Sequence, residues 1–140
     1  MKGVIVYYSD TDSLVINKSL DPDFLGNEIG KMKLEHTYDK LLCLAAKCYV
    51  GKEGNNEHVV IKGSKVKVSL KDIEPLLYKS KILEIHHSKW FKDYSDGSIT
   101  IKDELYSLTV TDNKRKLIYD DKNRFIDTAP LKLVNGVVTE

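Results

Sequence analysis

Asp10 and Asp12 stand one residue apart in the stretch Tyr8-Ser9-Asp10-Thr11-Asp12-Ser13, between Gly3 to Tyr8 and Ser13 to Ile16, two runs rich in Val, Ile and Tyr. Two carboxylates crowded between apolar runs repel one another unless something positive sits with them. Magnesium suits such a pair, because this hard ion takes oxygen ligands, typically one or two carboxylates plus substrate phosphates and water. Two such ions about 3.5–4 Å apart stabilise both the attacking and the leaving oxygen of a phosphoryl displacement. An EF-hand loop is excluded: with Asp10 first, Leu14 and Val15 fall at the fifth and sixth positions, where an oxygen ligand and a glycine are needed. An ordinary Asp-rich turn is the simpler alternative, since Asp and Ser are favoured turn residues.

The flanking runs read as two strands, and so short a polar link calls for an antiparallel hairpin with Ser9 to Asp12 at its tip. Residues at i and i+2 of an extended stretch point the same way, so Asp10 and Asp12 are expected to face one site. Asp21-Pro22-Asp23 starts a turn or short helical piece ended by Gly26. From Leu41 to Val50 the period is two: Leu41, Cys43, Ala45, Lys47 and Tyr49 share one face, and Leu42, Leu44, Ala46, Cys48 and Val50 the other. This predicts one strand with Lys47 and Tyr49 side by side. Gly51 to Asn56 reads as a turn, and His58 to Ile61 as a returning strand. Ser69-Leu70-Lys71-Asp72 has the pattern of a capping box, predicting a helix from about Leu70, with Pro75 limiting its length. Beyond Asp96-Gly97, short strands are expected at Ile99 and Ile101, at Leu105 to Val110 and at Leu117 to Tyr119. The composition shifts near Gly63 to Ser69, which divides the chain into 1–68 and 69–140.

The length of 140 residues allows about one ordinary domain, and 22 Lys and Arg against 21 Asp and Glu leave the net charge silent about partners. Lysines nevertheless cluster at Lys31 to Lys33, Lys62 to Lys71, Lys79 to Lys92 and Asn113 to Lys116, either as a solvated surface or as contacts for a nucleic-acid backbone. Cys43 and Cys48, five apart on a single strand, would lie on opposite faces and are poorly placed for a disulfide, which fits a reducing compartment. No Cys/His cluster has zinc spacing, no apolar run is long enough to span a membrane as a helix, and no secretory leader is expected.

The stretch Tyr8 to Ser13 resembles motif C of family B DNA polymerases, whose pattern is Tyr-x-Asp-Thr-Asp-Ser. Downstream, Lys47-Cys48-Tyr49 is similar to that family's Lys-x-Tyr motif, and Ile61-Lys62-Gly63 to the Lys-Gly that closes its palm. Between them, Leu25-Gly26 and Gly30 to Glu35 resemble the family's linking segment. The tail, with Asn113 to Tyr119 and Thr128-Ala129-Pro130, looks most like the protein-primed branch, and within it the polymerases of linear mitochondrial plasmids.

The resemblance implies an α+β fold: a partial antiparallel palm sheet carrying the motif C hairpin over 1–68, then a small mixed α/β thumb over 69–140. It implies that Asp12 is a direct magnesium ligand, that Asp10 is a catalytic carboxylate nearer the primer end, and that Tyr8, Thr11 and Ser13 support them. Lys47 matches the lysine that steadies the primer terminus, Tyr49 its partner against the duplex, and Lys62 a contact to the DNA backbone. The implied partners are primer-template DNA, deoxynucleoside triphosphates and two magnesium ions, with no membrane. The implied location is mitochondrial, with a phage or viral source as the alternative. Motif A and the fingers lysine lie upstream of motif C in the family, and seven residues precede Tyr8 here. This polypeptide is therefore expected to be inactive without an upstream polymerase half. A non-catalytic DNA-binding remnant is the alternative. Trp90 is expected to be packed within the thumb, and His86 and His87 to lie at the surface.

Overall fold

Short runs of β-branched and aromatic residues, punctuated by polar turns, favour hairpins over long helices, and the computed structural model consists mainly of them. It describes residues 3–64, 66, 68–112, 114–135 and 137–139. Lys65, Lys67 and Asn113, which belong to the lysine-rich clusters noted above, lie outside those residues, as do Met1 and Lys2. Strands β1 (Val6–Asp10) and β2 (Ser13–Ile16) form the expected hairpin. A 3₁₀ turn, Pro22–Phe24, follows at the Asp-Pro-Asp sequence. Strands β3 (Lys40–Ala45), β4 (Cys48–Glu53) and β5 (Asn56–Ile61) make a three-stranded antiparallel sheet in the order β3-β4-β5. After the one-turn helix α1 (Leu70–Ile73) come three more hairpins among the described residues: β6 (Leu83–Lys92) with β7 (Ile99–Leu108), β8 (Arg115–Tyr119) with β9 (Phe125–Pro130), and β10 (Lys132–Val134) with β11 (Val137–Thr139). The fold is thus α+β, dominated by small antiparallel sheets.

Two expectations need correction here. The chain from Leu41 to Val50 is not one strand but a hairpin, turning at Ala46-Lys47 with Lys47 at φ 57°. The separate short strands expected at Ile99–Ile101 and Leu105 onward are one continuous ten-residue strand, β7, paired along its whole length with β6.

The core follows from alternation. Leu42 and Leu44 of β3 and Cys48 and Val50 of β4 point inward, where they meet Leu70, Ile73, Leu76 and Leu77, with Leu108 and Val110 completing the cluster. Residues on both sides of position 69 therefore share one core. Full burial of a side chain the size of Ile73 stabilises by about 1.5–3 kcal/mol. Helix α1 is placed by the capping box read in the sequence: Ser69 Oγ accepts the Asp72 amide, and Asp72 Oδ2 accepts the Ser69 amide at 2.8 Å. Pro75, which lacks an amide proton, stands in the first turn of the 3₁₀ segment Glu74–Leu77 that follows.

The β6–β7 ribbon has two dissimilar faces. Trp90 is not packed: it is 66% exposed, beside Ile99 and Ile101 on the same face. His86 is exposed, but His87 lies on the other face with its side chain only 10% exposed. The aromatic and the histidine thus exchange the environments expected of them. Among the described residues, no helix is long and apolar enough to cross a membrane.

Candidate active site

The β1–β2 hairpin turns in two residues, Thr11 and Asp12, with Asp10 opposite Ser13. Asp10 is therefore the last residue of a strand and Asp12 a turn residue, so the i and i+2 alternation of an extended chain does not relate them. Thr11 holds φ 46°, unusual for a β-branched residue and costing on the order of 1–3 kcal/mol. Strain of that size persists only where surroundings fix it. Here Thr11 Oγ1 donates to Asp10 Oδ1 at 3.1 Å and Ser13 Oγ donates to the Asp10 carbonyl at 3.1 Å.

The sequence of the two motifs gives no sign of how closely they engage. Lys47, from the β3–β4 turn, reaches across to β1 with its Nζ 2.8 Å from Asp10 Oδ1 and 2.7 Å from Oδ2. Its amide donates to Tyr8 Oη at 2.8 Å, and its carbonyl accepts the Lys62 amide at 2.8 Å. The Lys47 ammonium, hydrogen-bonded to the carboxylate, holds Asp10 below the usual aspartate range, and the same bond raises Lys47. Asp12 differs: among the described residues its carboxylate accepts no hydrogen bond, and it acts on Lys47 only through charge. One carboxylate is neutralised and the other is open at the tip. An open, exposed carboxylate is a suitable donor for a hard cation. Among the described residues no three His, Cys, Asp or Glu side chains come together to enclose a metal, so an ion held by Asp12 would take its remaining oxygens from elsewhere.

Tyr49, Lys62 and Tyr8 are all brought to this neighbourhood. The Tyr8 and Tyr49 rings pack with centroids 5.2 Å apart, and the Lys62 side chain is exposed at the end of β5. Lys47 and Tyr49 do not share a strand face as expected, because Lys47 occupies the turn. Cys43 is opposite Tyr49 in the register and Cys48 faces the core. The two thiols are free and on different faces, as expected, though by way of a hairpin. Burial pushes the Cys43 thiol up to about 11.

Behind Tyr49 lies a cluster that the sequence reading missed. Tyr49 meets His58 edge-on at 6.1 Å, and His36 stacks on His58 at 4.4 Å and on Tyr38 at 5.4 Å. The Tyr38 hydroxyl and His58 Nδ1 lie 2.6 Å apart. Burial raises Tyr38 to about 12, while burial and the neighbouring His36 lower His58. The only local signal for this cluster is Gly51, on which the Tyr38 ring rests so closely that any Cβ there would overlap it.

Comparison with known proteins gives a consistent result. The chain is 31% identical over 139 residues, 95% of its length, to a protein named "Probable DNA polymerase" from Ascobolus immersus, and the match covers 12% of that protein. A protein of the same name from Podospora anserina is 31% identical over 140 residues, 92% of this chain and 12% of its own length. A third, from Neurospora intermedia, is 31% identical over 103 residues, 69% of this chain and 11% of its own. No family model and no solved structure matches. The resemblance to DNA polymerases therefore extends over nearly the whole chain, and the chain spans about 12% of the length of the curated relatives it matches most fully.

Proposed function

We propose that this chain is the carboxyl-terminal palm and thumb portion of a family B, protein-primed DNA polymerase, which adds deoxynucleotides to a primer 3′ end by metal-assisted phosphoryl transfer. The observation that carries the reading is the joining of two motifs: Lys47 of the Lys-x-Tyr-like segment pairs with Asp10 of the motif C-like hairpin and bonds Tyr8 through its amide. A lone Asp-rich turn needs no such partner. Asp12 would hold magnesium, an ion that when bound stabilises the charge developing on phosphoryl oxygens. Asp10 keeps Lys47 oriented, leaving its ammonium beside the place where a primer end would lie. Lys62 and Tyr49 flank that place. Phosphate contacts of this kind position a duplex without reading its sequence, as template copying requires.

The chain is proposed to act only with an upstream half that supplies the missing carboxylate and nucleotide contacts. The β1–β2 sheet supports this, since Val6 and Tyr7 are more than half exposed and a solitary two-stranded sheet is marginal in water. Mixing the chain with a separately folded upstream polymerase segment and assaying magnesium-dependent primer extension tests the reading. Extension by the mixture, absent from either part alone, supports it. Silence from two folded, associating parts rejects it in favour of a non-catalytic DNA-binding remnant.

A further inference from the structure

Three hydrogen bonds run in series from the candidate hairpin into the β6–β7 ribbon. Tyr8 Oη accepts the Lys47 amide at 2.8 Å, the Lys47 carbonyl accepts the Lys62 amide at 2.8 Å, and the Lys62 carbonyl accepts the Tyr106 hydroxyl at 2.6 Å. Lys47 depends on this support, because a lysine at φ 57° occupies a sparsely populated region that persists only when its surroundings determine it. Its amide, carbonyl and ammonium are each engaged.

Tyr106 is a firm end for the series. It sits opposite Ile85 in the β6–β7 register, and its ring stacks on His87 at 5.9 Å with planes 27° apart. His87 is fixed in turn, with Nδ1 3.1 Å from Ser64 Oγ and Nε2 3.5 Å from Glu104. Tyr106 is itself partly buried and packs against the core. The turn at Lys62-Gly63 is thus clasped from the β7 side by one hydroxyl.

We propose that Tyr106 is a positioning residue for the Lys47–Asp10 pair: its hydroxyl fixes the Lys62 carbonyl, and through the Lys62 amide fixes the backbone from which Lys47 reaches Asp10. Tyr106 touches neither Asp10 nor Lys47, so its influence passes through Lys62. The consequence for DNA rests on the polymerase reading, but the positioning itself does not.

The test is amide hydrogen exchange on the isotopically labelled chain, comparing the parent with Tyr106→Phe, which keeps the ring stacked on His87 and removes only the hydroxyl. Exchange at Lys47 and Lys62 is taken relative to amides of the β8–β9 hairpin, whose local opening leaves the Tyr106–Lys62 bond intact. The expected result is about a tenfold loss of protection at both amides against that reference, with the melting temperature lowered by no more than about 4–6 °C. Unchanged relative protection at both overturns the proposal. A second arm measures primer-template affinity by fluorescence anisotropy. Tyr106→Phe should weaken it about fivefold, and adding it to Lys47→Ala should weaken it no further, since residues acting through one another are not additive. Full additivity counts against positioning through Lys47. Absence of any duplex binding by the parent chain would sink the DNA reading while the exchange result still decides the role of Tyr106.

Discussion

Gly51→Ala tests the packing behind the candidate site with a single methyl group. Gly51 is buried in β4, opposite Leu41 and His58, and an added Cβ would overlap three atoms of the Tyr38 ring. A ring face cannot give way as the end of a flexible chain can, so Tyr38 must leave the sheet. It then loses its bond to His58, worth about 0.5–1.5 kcal/mol. The stack on His36 is lost as well, worth about as much again. Alanine recovers about 0.5–1 kcal/mol of strand stability that glycine forfeits. The net cost is on the order of 1–1.5 kcal/mol, or about 4–6 °C in melting temperature for a chain of this size. Thermal unfolding followed by circular dichroism reads it directly. In a Tyr38→Ala background the same change should cost nothing or stabilise slightly, because the obstacle is gone. If Gly51→Ala alone leaves the parent's melting temperature intact, the ring does not lie where this reasoning needs it.

Ile73→Ala should destabilise by about 2–5 kcal/mol, since Ile73 is among the most fully buried side chains and joins α1 to β4. Because that core includes residues on both sides of position 69, urea unfolding should show one transition shifted as a whole, and two transitions moving independently would contradict the shared core. His58 gives a pH dependence. Its folded value is lowered, chiefly by burial, so its contribution is fully present above the ordinary histidine value of about 6.5 and is lost as pH falls through the lower folded value. Melting temperatures at pH 7.5 and 5.5 should therefore fall more steeply for the parent than for His58→Gln, and equal slopes would rule out this source of acid sensitivity.

What the sequence discloses depends on how local the cause is. The Ser69–Asp72 capping box is legible because both partners lie within one turn. The β1–β2 hairpin is legible because two strand-like runs leave only a short polar link. The β3–β4 turn is hidden for a definite reason: its two residues preserve the parity of a period-two pattern, so Leu42, Leu44, Cys48 and Val50 alternate straight through it. No Gly, Pro or Asn marks the place, and a lysine takes the left-handed conformation instead. The aromatic cluster of Tyr38, His36 and His58 needs the register of β4 with β5, which short-range pattern does not supply. Residue type also misleads at the ribbon. Trp90 is a large apolar side chain, yet it projects from the open face of β6, while His87 faces inward and is covered by Tyr106. For the candidate site, the identities of Asp10, Asp12, Lys47, Tyr49 and Lys62 are legible through their order along the chain. The ion pair that unites Asp10 with Lys47 is not.

The most direct test of the central claim is the single-turnover rate of nucleotide incorporation by this chain completed with an upstream polymerase segment, measured for the parent and for Asp12→Asn at saturating magnesium. If the open carboxylate at the hairpin tip holds a catalytic ion, the rate should fall by about 10²–10³-fold or more, with the melting temperature unchanged. Equal rates for Asp12→Asn and the parent would contradict the account, because the carboxylate around which the site is built would then be an ordinary turn residue.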